Sequence, residues 1–93
     1  MLYQTVESKA ELFRCIGDPT CLKLLSLLME NKKLCVSEIT VELAVSMPAV
    51  SHQLRKLRSL GILDRKREGQ MICYFFADTD EAKQVKRILR EVL

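Results

Sequence analysis

Ser46–Leu60, SMPAVSHQLRKLRSL, is the stretch that decides the fold. Ser46 is a good N-cap, because its hydroxyl can accept from the free N–H groups of a first helical turn. Pro48 falls in that turn, where a missing N–H costs nothing. Gly61 follows as the C′ residue that stops the helix. Between these signals Met47, Val50, Leu54 and Leu57 recur at helical spacing as one apolar stripe. The opposite face carries Pro48, Ser51, His52, Arg55, Lys56 and Ser59, with no acid among them. Short hydroxyls and cations suit phosphates, and polar side chains suit base edges in a major groove. A solvated surface helix has the same composition, so the neighbouring segments decide between the two.

Upstream, Ser37 is predicted to cap a short helix over Glu38–Leu43, with Ile39 and Leu43 facing inwards. Ala44-Val45 then makes a tight turn into the Ser46 helix. Two short helices joined so closely read as a helix-turn-helix over about 37–60, whose second helix is the recognition helix. Downstream of Gly61 the period changes from helical to alternating. Ile62–Lys66 and Met71–Phe76 are β-compatible runs, and Gly69 supplies the turn of a hairpin between them. Ile72, Tyr74 and Phe76 share one face of the second strand, and Met71, Cys73 and Phe75 the other. Arg65, Lys66 and Arg67 fall at the hairpin tip. A basic hairpin after a recognition helix is a wing, here about 62–76, able to reach phosphates or the minor groove.

The flanks are helical. Residues 2–16 carry Leu2, Val6, Ala10 and Phe13 as a stripe. Gly17-Asp18-Pro19 breaks that helix. Asp18 as N-cap and Pro19 at N1 start a second one, which runs to about Met29. Leu22, Leu24, Leu25, Leu27 and Leu28 cover nearly all its faces, so it is expected at the centre. A last helix over about 79–93 carries Ala82, Val85, Leu89 and Val92. The fold class is therefore mainly α with a β-hairpin wing (α+β): one winged helix-turn-helix domain over 1–93, in the order α-α-α-α-β-β-α. If the middle helices and the hairpin supply the core, the terminal helices are left for a homodimer interface through Leu2, Val6, Val85, Leu89 and Val92.

Charge is distributed unevenly. The 93 residues carry a net +3. His52–Glu68 alone holds Arg55, Lys56, Arg58, Arg65, Lys66 and Arg67 against Asp64 and Glu68, leaving the remainder slightly acidic. A concentrated basic patch on a near-neutral body is the footprint of a nucleic-acid binder. Double-stranded operator DNA is thus the expected partner. Ser46, Pro48, Ser51, His52, Gln53, Arg55 and Lys56 are the candidate contacts on the helix, and Arg65, Lys66 and Arg67 those on the wing. Lys56 and the wing cations are assigned to phosphates, and Ser51, His52 and Gln53 to base edges, with Gln53 nearest the buried side. No Ser/His/Asp set, Gly-rich phosphate loop or buried carboxylate pair is present, so an enzyme is not expected. No apolar run approaches a membrane span and no signal-peptide pattern opens the chain, so a cytoplasmic protein without a membrane partner is expected. The rival readings are a winged-helix protein-interaction module and a constitutive DNA-binding regulator that senses no metal.

The cysteines are Cys15, Cys21, Cys35 and Cys73, without CxxC or zinc-finger spacing. In a reducing compartment structural disulfides are not expected. Buried thiols, a metal site assembled in space and redox-active groups stay open as readings.

Glu11-Leu12-Phe13 through Ile16-Gly17-Asp18-Pro19-Thr20, Leu34-Cys35-Val36-Ser37-Glu38-Ile39, and Ala49-Val50-Ser51-His52-Gln53-Leu54-Arg55-Lys56-Leu57 together resemble the arsenic-repressor (ArsR/SmtB) family of winged helix-turn-helix regulators. Gly61-Ile62-Leu63 and Gly69 fit the start and turn of that family's wing. The resemblance implies a homodimeric repressor that releases operator DNA on a chemical signal. It departs at the sensor. Where the family often has a second cysteine two residues after the first, Ser37 follows Cys35, and a hydroxyl is a poor ligand for soft metals. The family's other common site uses Asp and His of the last helix, and Asp78–Ala82 has no histidine. The sole histidine, His52, is assigned to DNA or local packing. A cysteine sensor is expected, responding to arsenite or another metalloid, a soft divalent metal ion held by thiolates, or an oxidant. Cys35 is its central thiol, Cys21 and Cys15 are the expected partners, and Cys73 is the remaining candidate. Cys21 is placed at N3 of a helix, where the dipole stabilises a thiolate. A disulfide between two of the four is the competing form.

Overall fold

The computed structural model describes residues 2–93, with side chains from Thr5 onward, so the side chain of Leu2 lies outside the described residues. The elements are α1 (Leu2–Ile16), α2 (Pro19–Glu30), β1 (Leu34–Cys35), α3 (Val36–Leu43), α4 (Met47–Ser59), β2 (Leu63–Glu68), β3 (Met71–Phe76) and α5 (Asp80–Val92). The expected winged helix-turn-helix order is present, with β1 added. That two-residue strand runs antiparallel to β3, giving a three-stranded sheet in the order β1-β3-β2.

The helix starts follow their capping chemistry. The Asp18 carboxylate accepts from the Cys21 N–H at 2.9 Å, with Pro19 in the first turn of α2. The Ser46 hydroxyl accepts from the Ala49 N–H at 3.4 Å at the head of α4. Thr79 accepts from the Ala82 N–H at 3.0 Å and donates to the Gly61 carbonyl at 2.6 Å. One threonine thus starts α5 and pins it to the end of α4. Ser37 does not cap α3 as expected. The helix begins earlier, with Cys35 at the N-cap, because the Glu38 carboxylate accepts from the Cys35 N–H at 2.8 Å. Gly61 and Gly69 take φ of 80° and 65°. Such left-handed values favour glycine at a helix stop and a hairpin turn.

α2 is central, with Leu24, Leu25 and Leu28 buried. Ile39 of α3, Val50, Leu54 and Leu57 of α4, and Leu63 and Tyr74 of the hairpin close around it. Each such side chain contributes about 1.5–3 kcal/mol relative to an exposed one. The core also takes Val85 and Leu89 of α5, which are 0% and 1% exposed. This corrects the expectation that α5 keeps its apolar stripe for a partner. Ala82, Val85 and Leu89 face inwards, and Val92 alone of that stripe stays outside. Met47, the first residue of the apolar stripe of α4, is also outside.

Candidate nucleic-acid interface

α3 and α4 are joined by Ala44, Val45 and Ser46, and Ala44 turns the chain with a left-handed φ of 53°. That turn leaves the α4 face bearing Ser46, Pro48, His52 and Arg55 exposed, with Ser51 and Lys56 half-buried beside it. Gln53 is half-buried and its side-chain carbonyl is enclosed without a hydrogen-bond partner. Of the helix residues assigned to DNA, it is the one turned from the open face.

The wing stands next to this helix. Leu63 anchors β2 in the core, while Asp64, Arg65, Lys66 and Arg67 are exposed. In the hairpin register Arg65 faces Tyr74, Lys66 faces Cys73 and Arg67 faces Ile72. Arg58 of α4 lies 3.8 Å from the Asp64 carboxylate, a link between helix and wing base. Lys33 pairs with Glu68, whose carboxyl is held below the usual range by that hydrogen bond. Arg65, Lys66 and Arg67 thus rise from a strand tied at both ends.

The cysteines form two pairs, and not those expected. Cys35 is disulfide-bonded to Cys73. The two sit directly opposite each other on β1 and β3. Cys15 and Cys21, both buried, bring their Sγ atoms to 3.2 Å across the α1–α2 elbow. Cys35 therefore has neither Cys21 nor Cys15 as partner, and the expectation of no disulfide is corrected. The missed signal was β1 itself, because a two-residue strand carries no period to read. In the buried pair, the hydrogen bond between the sulfurs draws the Cys15 thiol below its ordinary range, against burial and with help from the Lys56 ammonium. The same bond, then burial, pushes the Cys21 thiol up. Lys56 thus leans on the sulfurs as well as bordering the helix face. The dipole advantage expected for a Cys21 thiolate is outweighed.

Among the described residues no group of three or more His, Cys, Asp or Glu could hold a metal ion. Thiolates are the ligands that soft metalloids and metals favour, and in the disulfide the Cys35 and Cys73 sulfurs are bonded to each other and offer none. The Cys15–Cys21 pair brings two free sulfurs together.

Of the expected interface residues, Val6 and Val92 are exposed, and Phe13 and Leu93 join them. Val85 and Leu89 do not, being in the chain's own core. Lys9 of α1 donates to the Gln84 side chain of α5, holding the two terminal helices together.

Residues 18–65 match the family model of the bacterial regulatory protein, arsR family. That match covers α2, α3, α4 and the start of the wing. The chain belongs to the ArsR family. An uncharacterized HTH-type transcriptional regulator of Methanocaldococcus jannaschii is 38% identical over 92% of this chain and 96% of its own. A transcriptional repressor SmtB homolog of Synechocystis is 37% identical over 99% of this chain and 66% of its own. The solved transcriptional repressor PagR of Bacillus anthracis superposes with a TM-score of 0.72 at 30% identity, covering 92% of this chain and 98% of that one. This ArsR-family chain is a DNA-binding transcriptional regulator, like relatives that are regulators rather than enzymes. No helix among the described residues is long and apolar enough to cross a membrane.

Proposed function

We propose that this ArsR-family protein is a cytoplasmic homodimeric repressor that holds operator DNA through α4 and the wing, and releases it when cysteine sulfur changes its chemical state. The observation that carries the reading is the acid-free exposed face of α4 beside the exposed Arg65-Lys66-Arg67 run. The helix offers His52, Ser51 and Arg55 to a major groove, while Lys56 and the wing cations neutralise phosphates. A second copy doubles this surface across two half-sites. The PagR and SmtB-homolog likenesses support repression as the outcome. Two close cysteine pairs support a thiol signal without a bound metal.

The test is binding to the DNA upstream of the protein's own gene, titrated over a range of salt. Each phosphate that is no longer neutralised should lower the salt slope by about 1 per monomer. A Lys66→Ala, Arg67→Ala double variant is therefore expected to bind more weakly on every sequence, with a shallower slope. His52→Ala is expected to cost about 1–3 kcal/mol on the operator and little on unrelated DNA. Wild-type affinity and slope in the wing variant would remove the wing from the interface.

A further inference from the structure

Lys66, Cys73 and Cys35 form one row across the sheet. Lys66 on β2 faces Cys73 on β3, and Cys73 faces Cys35 on β1. Residues opposite one another in antiparallel strands have side chains within about 5 Å. The row therefore runs from a wing cation to the head of α3. Cys35 is half-buried and is the N-cap of α3, which packs against α4. Cys73 is 0% exposed. β1 contributes only Leu34 and Cys35 to its pairing with β3. The disulfide thus turns a two-residue strand pairing into a covalent tie between the helix-turn-helix and the wing.

We propose that Cys35 and Cys73 form a reversible thiol–disulfide exchange site, with small disulfides as oxidant and small thiols as reductant, that tightens operator binding by stapling the wing to the helix-turn-helix. The inference rests on the operator-binding reading above. In the reduced protein Cys35 is the attacking sulfur, because it is half-buried and reachable whereas Cys73 is fully enclosed. It attacks one sulfur of R–S–S–R, forms Cys35–S–S–R and expels RS⁻, which takes up a proton. The Cys73 thiol gives up its proton and attacks the Cys35 sulfur, closing the protein disulfide and expelling the second RS⁻. Two electrons pass from the protein dithiol to the small disulfide, which leaves as two RSH. Reduction runs the same steps backwards.

Two effects favour DNA in the oxidised state. The staple fixes the wing relative to α4, so less freedom is lost on binding. The disulfide is also uncharged, whereas a thiolate in the row draws the Lys66 ammonium towards sulfur and away from phosphate.

The experiment is an anisotropy titration of the upstream DNA with full-length protein, with the bond state checked by alkylation and peptide mass mapping. The oxidised protein is expected to bind about 5- to 150-fold more tightly than protein reduced by dithiothreitol, with full recovery on oxidised glutathione. Cys35→Ser is expected to bind like reduced wild type under both conditions. A Cys15→Ala, Cys21→Ala double variant is expected to keep the whole response. Cys35 is half-buried, so its variant carries the test even if one at the buried Cys73 fails to fold. Equal affinity in both states, with only the melting temperature changed, overturns the proposal by reducing the bond to a structural staple. Tighter binding by the reduced form overturns its direction. A response that survives in Cys35→Ser, or vanishes in the Cys15/Cys21 variant, overturns the site while leaving a cysteine signal standing. Failure to bind DNA in any state overturns the operator-binding reading itself, and this inference with it.

Discussion

Cys15 and Cys21 place two buried sulfurs 3.2 Å apart, so the proton between them belongs to the fold rather than to either residue alone. Their shifts have opposite signs, and so do their effects on stability. The Cys15 thiol is drawn down from the ordinary 9.0 by its hydrogen bond with Cys21. Between its folded value and 9.0 the native state binds fewer protons than the unfolded chain, so stability rises with pH there. The Cys21 thiol is raised by the same bond and by burial. Its contribution is complete below 9.0 and declines as pH rises beyond it, because the unfolded chain releases that proton first. The expected outcome is a stability difference between the protein and its Cys15→Ala, Cys21→Ala variant that peaks near the ordinary thiol value. Urea unfolding of both proteins from neutral to alkaline pH checks it, and a difference that does not change with pH would show that the sulfurs do not share a proton.

Among the elements, those whose boundaries rest on local chemistry were legible in the sequence. Asp18-Pro19, Ser46 with Pro48, Thr79, Gly61 and Gly69 each satisfy or release backbone groups within a few residues, and each stands where that chemistry places it. The face of α4 was legible for the same reason, since helical period alone separates His52 and Arg55 from Leu54 and Leu57. β1 was not, because its existence depends on Tyr74 and Cys73, some forty positions away. Without that strand the partner of Cys35 cannot be read. The start of α5 near Thr79 was legible but its tie was not, since the Thr79 bond to the Gly61 carbonyl spans two elements. Thr79→Val is expected to remove both of its hydrogen bonds while keeping its shape, at a cost of about 1–2 kcal/mol. Guanidinium unfolding measures the loss, and a cost near zero would mean that packing alone holds α5 against the end of α4.

For the whole molecule, the issue is which apolar surface remains once the chain has filled its own core. Val85 and Leu89 are spent there, so an acid at either position is expected to unfold the protomer rather than divide a dimer. Val6, Phe13, Val92 and Leu93 remain 56%, 59%, 66% and 68% exposed. They stand on α1 and at the end of the chain, and the Lys9–Gln84 bond fastens α1 to α5. Val41, Met47 and Met71 are exposed as well, but singly on α3, α4 and β3; we propose the α1–α5 group as the association surface, where a two-fold contact would set the spacing of two recognition helices. Phe13→Glu combined with Val92→Glu is therefore expected to yield a folded monomer, with an unchanged helical spectrum, half the sedimenting mass and weak operator binding. Val85→Glu is expected to lose the spectrum instead. The pair separates the two roles by measurement. A Phe13/Val92 variant that sediments and binds DNA as the parent does would place the dimer interface elsewhere on the surface, whereas a folded Val85→Glu monomer would return α5 to the interface.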